Sequence, residues 1–287
     1  MSILVLGGAG QLGQALIKSC PPGTRTVGLT HADLDVGDAA AVDHMIGRYR
    51  PDWAINCAAY TAVDQAELVP DLARRTNALG PENLVSALNG HGGRLLHLST
   101  DFVFDGASRV PYRPESAPHP LSVYGRTKLE GELSVLSHPG SIVLRTSWLH
   151  AAKGQNFPLT MLRLMRERDE VRVVNDQFGS PTWASGLASV IWRLIGLDAP
   201  GGIHHWSDRG IVSWYDYAVA IKEEALKCGI LQRNIWVRPI STGEYPARAR
   251  RPAFSALDCS ATSRVASLAQ THWRDNLVAM LHELHSA

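Results

Sequence analysis

Short apolar runs alternate with longer amphipathic segments through the first 175 residues. The apolar runs are typical of strands buried on both faces, and the amphipathic segments are typical of helices that cover a sheet. The pattern predicts strands at 3–6, 26–29, 53–57, 94–99, 141–146 and 171–174. It predicts helices at 11–20, 39–49, 71–89, 124–136 and 157–168, and Gly80-Pro81 interrupts the third of them.

This alternation with short connections predicts an α/β fold, a Rossmann-type doubly wound parallel sheet with helices on both faces. From about residue 176 the pattern weakens into a helix at 183–195, a strand at 203–206, a helix at 214–228, a loop at 246–252 and a helix at 273–285. We therefore predict a dinucleotide-binding domain at 1–175 and a smaller C-terminal α/β substrate-binding lobe at 176–287. The loop at 149–157 is expected to contribute to the substrate site.

Composition narrows the class of protein. With a net charge of +1 and 19% charged residues, the protein lacks the positive electrostatic potential that would attract nucleic acid or an anionic membrane surface. The four cysteines are far apart and lack zinc-type spacing, which favours free thiols in a reducing compartment. The opening MSILVLGGAGQLG has no basic region and only a brief apolar run, so we expect a soluble, cytoplasmic protein without a signal peptide.

A glycine-rich turn, GGAGQLG at 7–13, follows the first predicted strand and opens the first predicted helix. Glycines allow close backbone approach to a pyrophosphate, and the helix N-terminus supplies amide donors and a positive partial charge. In this context the spacing predicts a dinucleotide site rather than a tight turn alone. The candidate cofactor-binding residues of the turn are Gly7, Gly10, Gln11, Leu12 and Gly13.

The end of the second strand indicates which nicotinamide the site prefers. It reads Leu29-Thr30-His31, without the acidic residue that would bind a ribose 2′-hydroxyl and repel a 2′-phosphate. We therefore expect NADPH, with NADH tolerated, and Asp35 as a contact near the adenine. Small residues after the third strand suit a backbone pressed against a cofactor, although simple packing explains them equally well. The remaining candidate cofactor residues are Thr30, Asp35, Val36, Ala58, Ala59, Tyr60 and Ser99.

Two polar groups follow the fourth predicted strand. Ser99, Thr100 and Asp101 emerge at its carboxyl end, where open α/β sheets bind ligands. Tyr124 and Lys128 then lie one turn apart on a predicted helix. A lysine ammonium, together with an oxidised nicotinamide, would lower the phenol pKa from its usual value of about 10 and suit it to proton transfer. A YxxxK spacing alone fits a surface helix at least as well, so its place after the strand decides the interpretation.

The segments GGAGQLG, STDFVFDG and YGRTKLEGE, in this order, resemble the extended short-chain dehydrogenase/reductases. More narrowly, NCAAYTAVDQAE, RTSWLHAAKGQNF, VVNDQFGSPT and YPARARRPAFSALD are similar to the dTDP-4-dehydrorhamnose reductase family. The resemblance implies a catalytic triad. In it Tyr124 would protonate the C4 oxygen of a keto sugar, Lys128 would hold the cofactor ribose, and Thr100 would orient the carbonyl. The implied reaction is NAD(P)H-dependent reduction of dTDP-4-dehydro-L-rhamnose to dTDP-L-rhamnose.

The resemblance also implies a substrate pocket, with Asp101, Val103, Phe104, Trp148, Asn156 and Arg251 as its candidate residues. Arg251 suits a pyrophosphate because a guanidinium binds it bidentately, although a solvated basic loop is the alternative. Gly125 is expected to leave room beside a bound sugar or cofactor. We expect no metal site, and no Mg²⁺ in particular, because neither the first helix nor the histidines offer a convincing set of ligands.

Other functions stay open at this point. A reductase of a related dTDP-4-keto-deoxysugar would carry the same motifs, and a non-catalytic NADP-binding regulatory subunit would share the fold. A dehydratase is disfavoured because Phe102, rather than a second acid, follows Asp101. We expect a small-molecule nucleotide-sugar substrate, no nucleic acid, no membrane, and a monomer or homodimer.

Overall fold

Strands and helices begin and end close to most of the predicted positions. The computed structural model describes residues 1–285. Its strands are β1 (Ser2–Leu6), β2 (Arg25–Leu29), β3 (Trp53–Asn56), β4 (Arg94–Thr100), β5 (Ile142–Thr146), β6 (Leu149–His150), β7 (Glu170–Val174), β8 (Phe178–Gly179), β9 (Thr182–Trp183), β10 (Gly202–His205), β11 (Val212–Ser213) and β12 (Trp236–Ile240).

The helices are α1 (Gln11–Lys18), α2 (Ala39–Tyr49), α3 (Val63–Ala66), α4 (Pro70–Arg74), α5 (Gly80–His91), α6 (Val123–Leu136), α7 (Phe157–Glu167), α8 (Ala184–Gly196), α9 (Trp214–Lys227), α10 (Ser260–Ala266) and α11 (Trp273–His285). A π-helical turn covers Arg75–Leu79, and 3₁₀ turns cover Asp101–Val103 and Thr242–Glu244. None of the helices within residues 1–285 combines the length and the apolar character that crossing a membrane requires.

Six parallel strands form the main sheet within the described residues, in the order β10-β5-β4-β3-β1-β2. The chain runs from β1 outward to β2 and then crosses back to β3 on the other side of β1. Strand order therefore reverses between β1 and β3, and open sheets bind ligands at the carboxyl ends of strands beside such a reversal. This arrangement confirms the predicted Rossmann-type doubly wound fold.

Apolar side chains on both faces of the strands hold the helices against the sheet. In β1, Ile3 and Val5 share a core with α1 and α8, whereas Leu4 and Leu6 share a core with α2 and α5. Full burial of each such side chain stabilises the fold by about 1.5–3 kcal/mol relative to exposure. The strands are apolar on both faces because helices cover both.

The sixth strand of the main sheet differs from the predicted one. Residues Gly202–His205, expected in the C-terminal lobe, form β10 and pair in parallel with β5. The run predicted as the sixth strand, β7, pairs with β12 outside the main sheet. The prediction was wrong because α8 brings the chain back onto the face of the sheet that α1 covers before β10 begins. Apolar periodicity identifies a buried strand but not its neighbour.

A second core surrounds the β7–β12 pair. Helices α7, α9 and α11 pack there and bury Met165, Tyr217 and Leu277 completely. Two short pairs, β6 with β9 and β8 with β11, lie in the connecting segments. The division of the chain into 1–175 and 176–287 stays a prediction, and each core draws on residues from both sides of it.

The predicted interruption at Gly80-Pro81 is a π-helical turn that joins α4 to α5 without ending the helix. Pro81 has no N–H to donate to the carbonyl of Asn77, one turn earlier. A Cβ on Gly131 of α6 would collide with that carbonyl oxygen. Glycine therefore lets α6, which carries the predicted catalytic tyrosine and lysine, lie directly against this turn.

Candidate active site

Contacts with neighbouring strands shape the glycine turn between β1 and α1. Gly7 has a φ of 77°, and a Cβ there would lie 2.8 Å from the backbone nitrogen of Ala58. A Cβ on Gly13 would collide with the Gly7 carbonyl. The N–H of Gly8 donates to the Leu29 carbonyl at 2.8 Å. Packing of the turn itself therefore requires glycine at positions 7 and 13.

The amide donors at the start of α1 suit a pyrophosphate. Gly10 precedes the helix and has no side chain, so the first turn receives no side-chain hydrogen bond at its N–H groups. Gly10, Gln11, Leu12 and Gly13 line a cavity of about 700 Å³. Helix N-termini bind phosphate groups through free backbone N–H groups and the positive end of the helix dipole. The turn therefore fits the phosphates of a dinucleotide.

The same cavity extends from the glycine turn to the three predicted catalytic residues. Thr100 ends β4, whereas Tyr124 and Lys128 lie in the first turns of α6, and all three line the cavity. Other parts of its wall are formed by Cys57, Ala59, Ser99, Asp101, Trp148 and Arg251. The phosphate-binding turn and the triad thus share one continuous space at the carboxyl edge of the sheet.

Packing of α6 against the segment after β4 places Tyr124 beside Thr100. The Ser122 hydroxyl caps the helix by accepting from the N–H of Gly125 at 3.1 Å. A Cβ on Gly125 would collide with the carbonyl of Phe102. Glycine therefore serves this backbone contact, which corrects the predicted role in leaving room for a ligand. The Tyr124 phenol lies beside the Thr100 side chain.

Burial governs the acidity of Tyr124. It raises the pKa of the phenol to about 12, although the Thr100 hydroxyl opposes this and the Asp101 charge adds to it. The lysine nitrogen is bonded elsewhere, and the lowering expected from Lys128 together with an oxidised nicotinamide stays a prediction. At neutral pH the phenol is therefore protonated and can act as a donor.

Lys128 is 2% exposed and reaches back toward the sheet. Its Nζ donates to the carbonyl of Leu98 at 2.6 Å and lies 3.1 Å from Nε2 of His97. Burial lowers the pKa of the amine to about 8, against the opposing effects of Glu132 and Cys57. Lys128 can therefore gain or lose a proton close to neutral pH.

Two neighbours of Thr100, Asp101 and Ser99, are held by buried hydrogen bonds. Asp101 accepts from the Ser255 hydroxyl at 2.5 Å and from the threonine hydroxyl at 3.1 Å, and burial raises its pKa to about 6. The Ser99 hydroxyl donates to Glu132, whose carboxylate forms a buried ion pair with Arg145 at 2.6 Å. Within residues 1–285, no three His, Cys, Asp or Glu side chains converge to hold a metal ion.

Aromatic and basic side chains form the other end of the cavity. Trp148, at a φ of 47°, stacks on Trp214 with ring centroids 3.4 Å apart. Arg251 donates to the two carboxylate oxygens of Asp64 at 2.6 and 3.2 Å, which ties the loop at 246–252 to the start of α3. Trp148, Trp214 and Arg251 also line an adjoining cavity of about 500 Å³. The predicted residues Trp148 and Arg251 therefore lie between two neighbouring cavities.

Three residues predicted to line the substrate pocket line neither cavity. Val103 and Phe104 are fully buried in the main core, where Phe104 stacks on Tyr112 at 4.0 Å. The segment after β4 turns these apolar side chains into the core, and a role toward a substrate stays a prediction for both. Asn156 caps α7, and its amide donates to the side chain of Gln11 at 2.7 Å. It therefore fastens its loop to the glycine turn.

Several predicted cofactor residues lie outside the lining of the large cavity, namely Gly7, Thr30, Asp35, Val36, Ala58 and Tyr60. Thr30 donates its N–H and its hydroxyl to Asp33, and Asp35 accepts from Arg75 at 2.8 Å. The side chain of Val36 is buried in the core between α2 and α5. The roles of these residues toward a cofactor stay predictions.

The sequence reasoning missed aromatic side chains that line the cavities, in particular Phe102, Trp214 and Tyr245. Phe102 directly follows the emergent Thr-Asp pair, and that position was an available signal. Trp214 and Tyr245 come from segments far along the chain, and only the packing of the second core brings them to the site.

Known proteins resemble this chain along nearly its whole length. The sequence matches the family described as the RmlD substrate binding domain over residues 1–286. It is 39% identical over 280 residues to the dTDP-4-dehydrorhamnose reductase of Aggregatibacter actinomycetemcomitans, and 95% of each chain is covered. The chain belongs to the RmlD family of dTDP-4-dehydrorhamnose reductases.

Further members of the family agree with this placement. The dTDP-4-dehydrorhamnose reductase of Salmonella typhimurium is 38% identical over 293 residues, with 99% of this chain and 98% of the relative covered. The crystal structure of a Clostridium acetobutylicum dTDP-4-dehydrorhamnose reductase superposes with a TM-score of 0.93 at 36% identity, covering 99% and 100% of the two chains. The Bacillus anthracis reductase, solved in complex with NADP, gives 0.92 at 35% identity, covering 98% and 99%.

Proposed function

We propose that the protein catalyses the NADPH-dependent reduction of the C4 keto group of dTDP-4-dehydro-L-rhamnose, which yields dTDP-L-rhamnose. The observation that carries the proposal is the single cavity joining the phosphate-binding turn to Thr100, Tyr124 and Lys128. The names of the relatives from A. actinomycetemcomitans and S. typhimurium support the substrate. The B. anthracis structure with NADP supports the cofactor.

The geometry gives each triad residue a task in this reaction. When bound, NADPH supplies the hydride. Tyr124 donates the proton to the C4 oxygen, because its phenol is protonated at neutral pH and lies in the cavity. Thr100, which lines the cavity beside the same phenol, orients the carbonyl oxygen toward it. The ammonium form of Lys128 stabilises the phenolate that remains, since an opposite charge nearby favours the ionised phenol.

Side chains at the other end of the cavity suit the nucleotide-sugar. Arg251 presents a guanidinium that matches the paired oxygens of a pyrophosphate. Trp148 provides a flat apolar wall whose position is fixed by stacking on Trp214. Substrate binding through these residues stays a proposal that mutation can test.

Two other functions make different predictions. A reductase of a related dTDP-4-keto-deoxysugar would use the same triad, so parallel assays with both sugars distinguish it. A non-catalytic NADP-binding subunit has no need for a tyrosine, a threonine and a lysine that line one cavity. The shared lining of Thr100, Tyr124 and Lys128 therefore favours an enzyme.

The direct experiment mixes purified protein, NADPH and enzymatically prepared dTDP-4-dehydro-L-rhamnose and follows the absorbance of the reduced cofactor. We expect steady oxidation of NADPH that depends on the sugar. Absence of oxidation, while an authentic reductase works in the same mixture, would refute the proposal.

Replacement of the proton donor tests the mechanism. Tyr124→Phe should lower kcat by about 100-fold or more, because general acid catalysis contributes about 10²–10⁴-fold. Its affinity for NADPH, measured by quenching of protein fluorescence, should change little. Tyr49→Phe on the remote helix α2 is the matched control and should keep the wild-type rate. A Tyr124→Phe variant with full kcat would show that another group supplies the proton.

We also propose that the protein is cytoplasmic and forms a monomer or homodimer. The four cysteines support a reducing compartment, since all are free and the pKa of the Cys57 and Cys259 thiols is raised by burial.

Size-exclusion chromatography with light scattering, at a range of protein concentrations, measures the oligomeric state. A stable tetramer or larger species would contradict the proposal.

A further inference from the structure

A buried polar chain lies beneath the triad, and the proposed mechanism leaves most of it without a role. Asn56 ends β3, His97 lies in the middle of β4, and Lys128 extends from α6. Asn56 and His97 are fully buried, and Lys128 is nearly so. Such groups are costly to bury unless every donor meets an acceptor. The direction of each hydrogen bond among these three side chains therefore determines which protonation states fit.

The backbone sets the direction of the first bonds. The N–H of Ala58 donates to Oδ1 of Asn56 at 3.0 Å. A backbone N–H can only donate, so this contact fixes which amide atom of Asn56 is the oxygen. The Asn56 Nδ2 then faces Nδ1 of His97 at 3.1 Å and must donate to it. A neutral imidazole that accepts at Nδ1 carries its proton on Nε2.

The last bond of the chain follows from that proton. The Nε2 of His97 lies 3.1 Å from Nζ of Lys128, and the same Nζ donates to the Leu98 carbonyl at 2.6 Å. An ammonium has three donors and no lone pair, so it would oppose one N–H with another. A neutral amine has a lone pair that accepts from Nε2–H. The arrangement is therefore complete only when Lys128 is an amine.

The other titratable groups around Lys128 are either uncharged or already paired. Burial holds the pKa of the His97 ring well below its usual value, so the ring is neutral. Burial raises the pKa of the Cys57 thiol and of the Tyr124 phenol to about 12, so both are uncharged. Glu132 on the same helix is already bound in its buried ion pair. The position of the His97 proton therefore decides which form of Lys128 fits.

We propose that His97, oriented by Asn56, is a positioning residue whose Nε2–H holds Lys128 against the sheet as an amine. Uptake of one proton by Lys128 breaks this bond, because the ammonium cannot accept from Nε2–H. The freed side chain then turns toward acceptors in the cavity, which it already lines. His97 thereby couples the protonation of Lys128 to its engagement in the site. This inference rests on the proposed function only for its kinetic consequence.

The first test reads the imidazole proton directly in the cofactor-free protein. Uniform ¹⁵N labelling of histidine and NMR distinguish a protonated ring nitrogen from an unprotonated one. The His97 signal is assigned by its loss in His97→Gln. We expect Nε2 protonated and Nδ1 unprotonated at neutral pH. A ring protonated on Nδ1, or on both nitrogens, would overturn the proposal whether or not the protein reduces any sugar.

The second test follows the titration of Lys128 by NMR in two matched variants. His97→Asn keeps a side chain that reaches Asn56 but not Lys128, whereas His97→Gln places an amide N–H where Nε2–H was. His97→Asn removes the N–H donor that favours the amine form. The titration midpoint of Lys128 should therefore rise by about half a pH unit or more. His97→Gln should stay close to wild type. Equal midpoints in all three proteins would overturn the proposal.

The same variants predict a kinetic signature. The profile of kcat/KM for NADPH reports pKa values of the free enzyme. Its alkaline limb should move to higher pH in His97→Asn and return in His97→Gln, because activity needs the ammonium and the amine predominates above the pKa of Lys128. If His97 had a purely structural role, its replacement would lower kcat/KM at every pH and leave the pH of the alkaline limb unchanged. That result would contradict the proposal.

Discussion

Burial moves three titratable side chains of the site toward their uncharged forms. It raises the pKa of Tyr124 to about 12 and that of Asp101 to about 6, and it lowers the pKa of Lys128 to about 8. At neutral pH the phenol is therefore a firm proton donor, whereas the carboxyl and the amine exchange protons near that pH. Each residue takes its acid–base character mainly from the surrounding core and less from its charged neighbours.

Arg251 provides a test of substrate recognition at the residue scale. Arg251→Met should raise the KM for the nucleotide-sugar by about tenfold or more, because a hydrogen bond to a charged group contributes about 1.5–3 kcal/mol. The KM for NADPH should stay within about twofold. Arg250→Met, an exposed neighbour in the same loop, is the control and should change neither constant. An unaltered sugar KM in Arg251→Met would leave Arg251 with only its structural contact to Asp64.

The sequence motifs predicted the positions of Thr100 and Tyr124 better than they predicted the residues around them. Thr100 and Tyr124 share a cavity because each follows a strand or opens a helix at the carboxyl edge of the sheet, and those positions can be read from the pattern. Phe104 cannot be placed this way, since an apolar residue beside a site and one in the core look alike in a sequence. The position of the Lys128 nitrogen also escapes prediction, because one helical turn brings two Cβ atoms together but leaves a four-carbon stem free to point elsewhere.

At the scale of elements, close backbone contacts hold α6 in place. Its glycines at 125 and 131 each face a carbonyl oxygen of a neighbouring segment, Phe102 on one side and Asn77 on the other. A side chain at either position would push the helix away from the sheet. The position of the predicted catalytic residues therefore depends on glycines that pack against neighbouring backbone.

Gly125→Ala tests this dependence. The added methyl group should displace the start of α6 and destabilise the fold by about 1–3 kcal/mol, as overpacking does. We expect a melting temperature lower by several degrees and a kcat lower by about tenfold, measured by thermal denaturation and steady-state kinetics. In Gly90→Ala, a helical glycine with open space around it, the melting temperature should stay the same or rise slightly. Wild-type behaviour of Gly125→Ala would show that the segment after β4 yields to α6.

Strand pairing was the part of the fold that local pattern could not supply. The runs that form β7 and β10 both read as short buried strands, and both are strands. Their partners differ because α8 lies between them and returns the chain to the main sheet. A pairing set by where α8 packs against the main sheet is a tertiary property, which no window of a few residues contains.

At the scale of the whole molecule, one buried carboxyl connects the two cores. Asp208 accepts from the backbone N–H of Trp183, just before α8, at 3.1 Å and lies beside the side chain of Asn276 of α11. Burial raises its pKa from 3.8 to about 7. The folded protein therefore binds a proton there that the unfolded chain has released, over the pH range between those two values.

This carboxyl predicts a change of stability with pH. The contribution of protonated Asp208 is fully present below about pH 4 and is lost as the pH rises to about 7. The free energy of unfolding of Asp208→Asn minus that of wild type should therefore increase over this range, by at most about 1.4 kcal/mol per unit, and level off above it. Urea denaturation at a series of pH values measures it. A flat difference for Asp208→Asn would contradict the assignment.

The late position of β10 along the chain has a consequence for synthesis on the ribosome. The main sheet gains its last strand only after residue 205 has emerged, and α8 covers one face just before that. Until then the growing chain exposes Ile55, Leu96 and Leu144, which α8 shares a core with in the finished protein. Exposed strands of this kind are the surfaces that chaperones bind and that aggregate when unprotected. The main sheet, although its first strands are synthesised early, is therefore completed only after two thirds of the protein has been made.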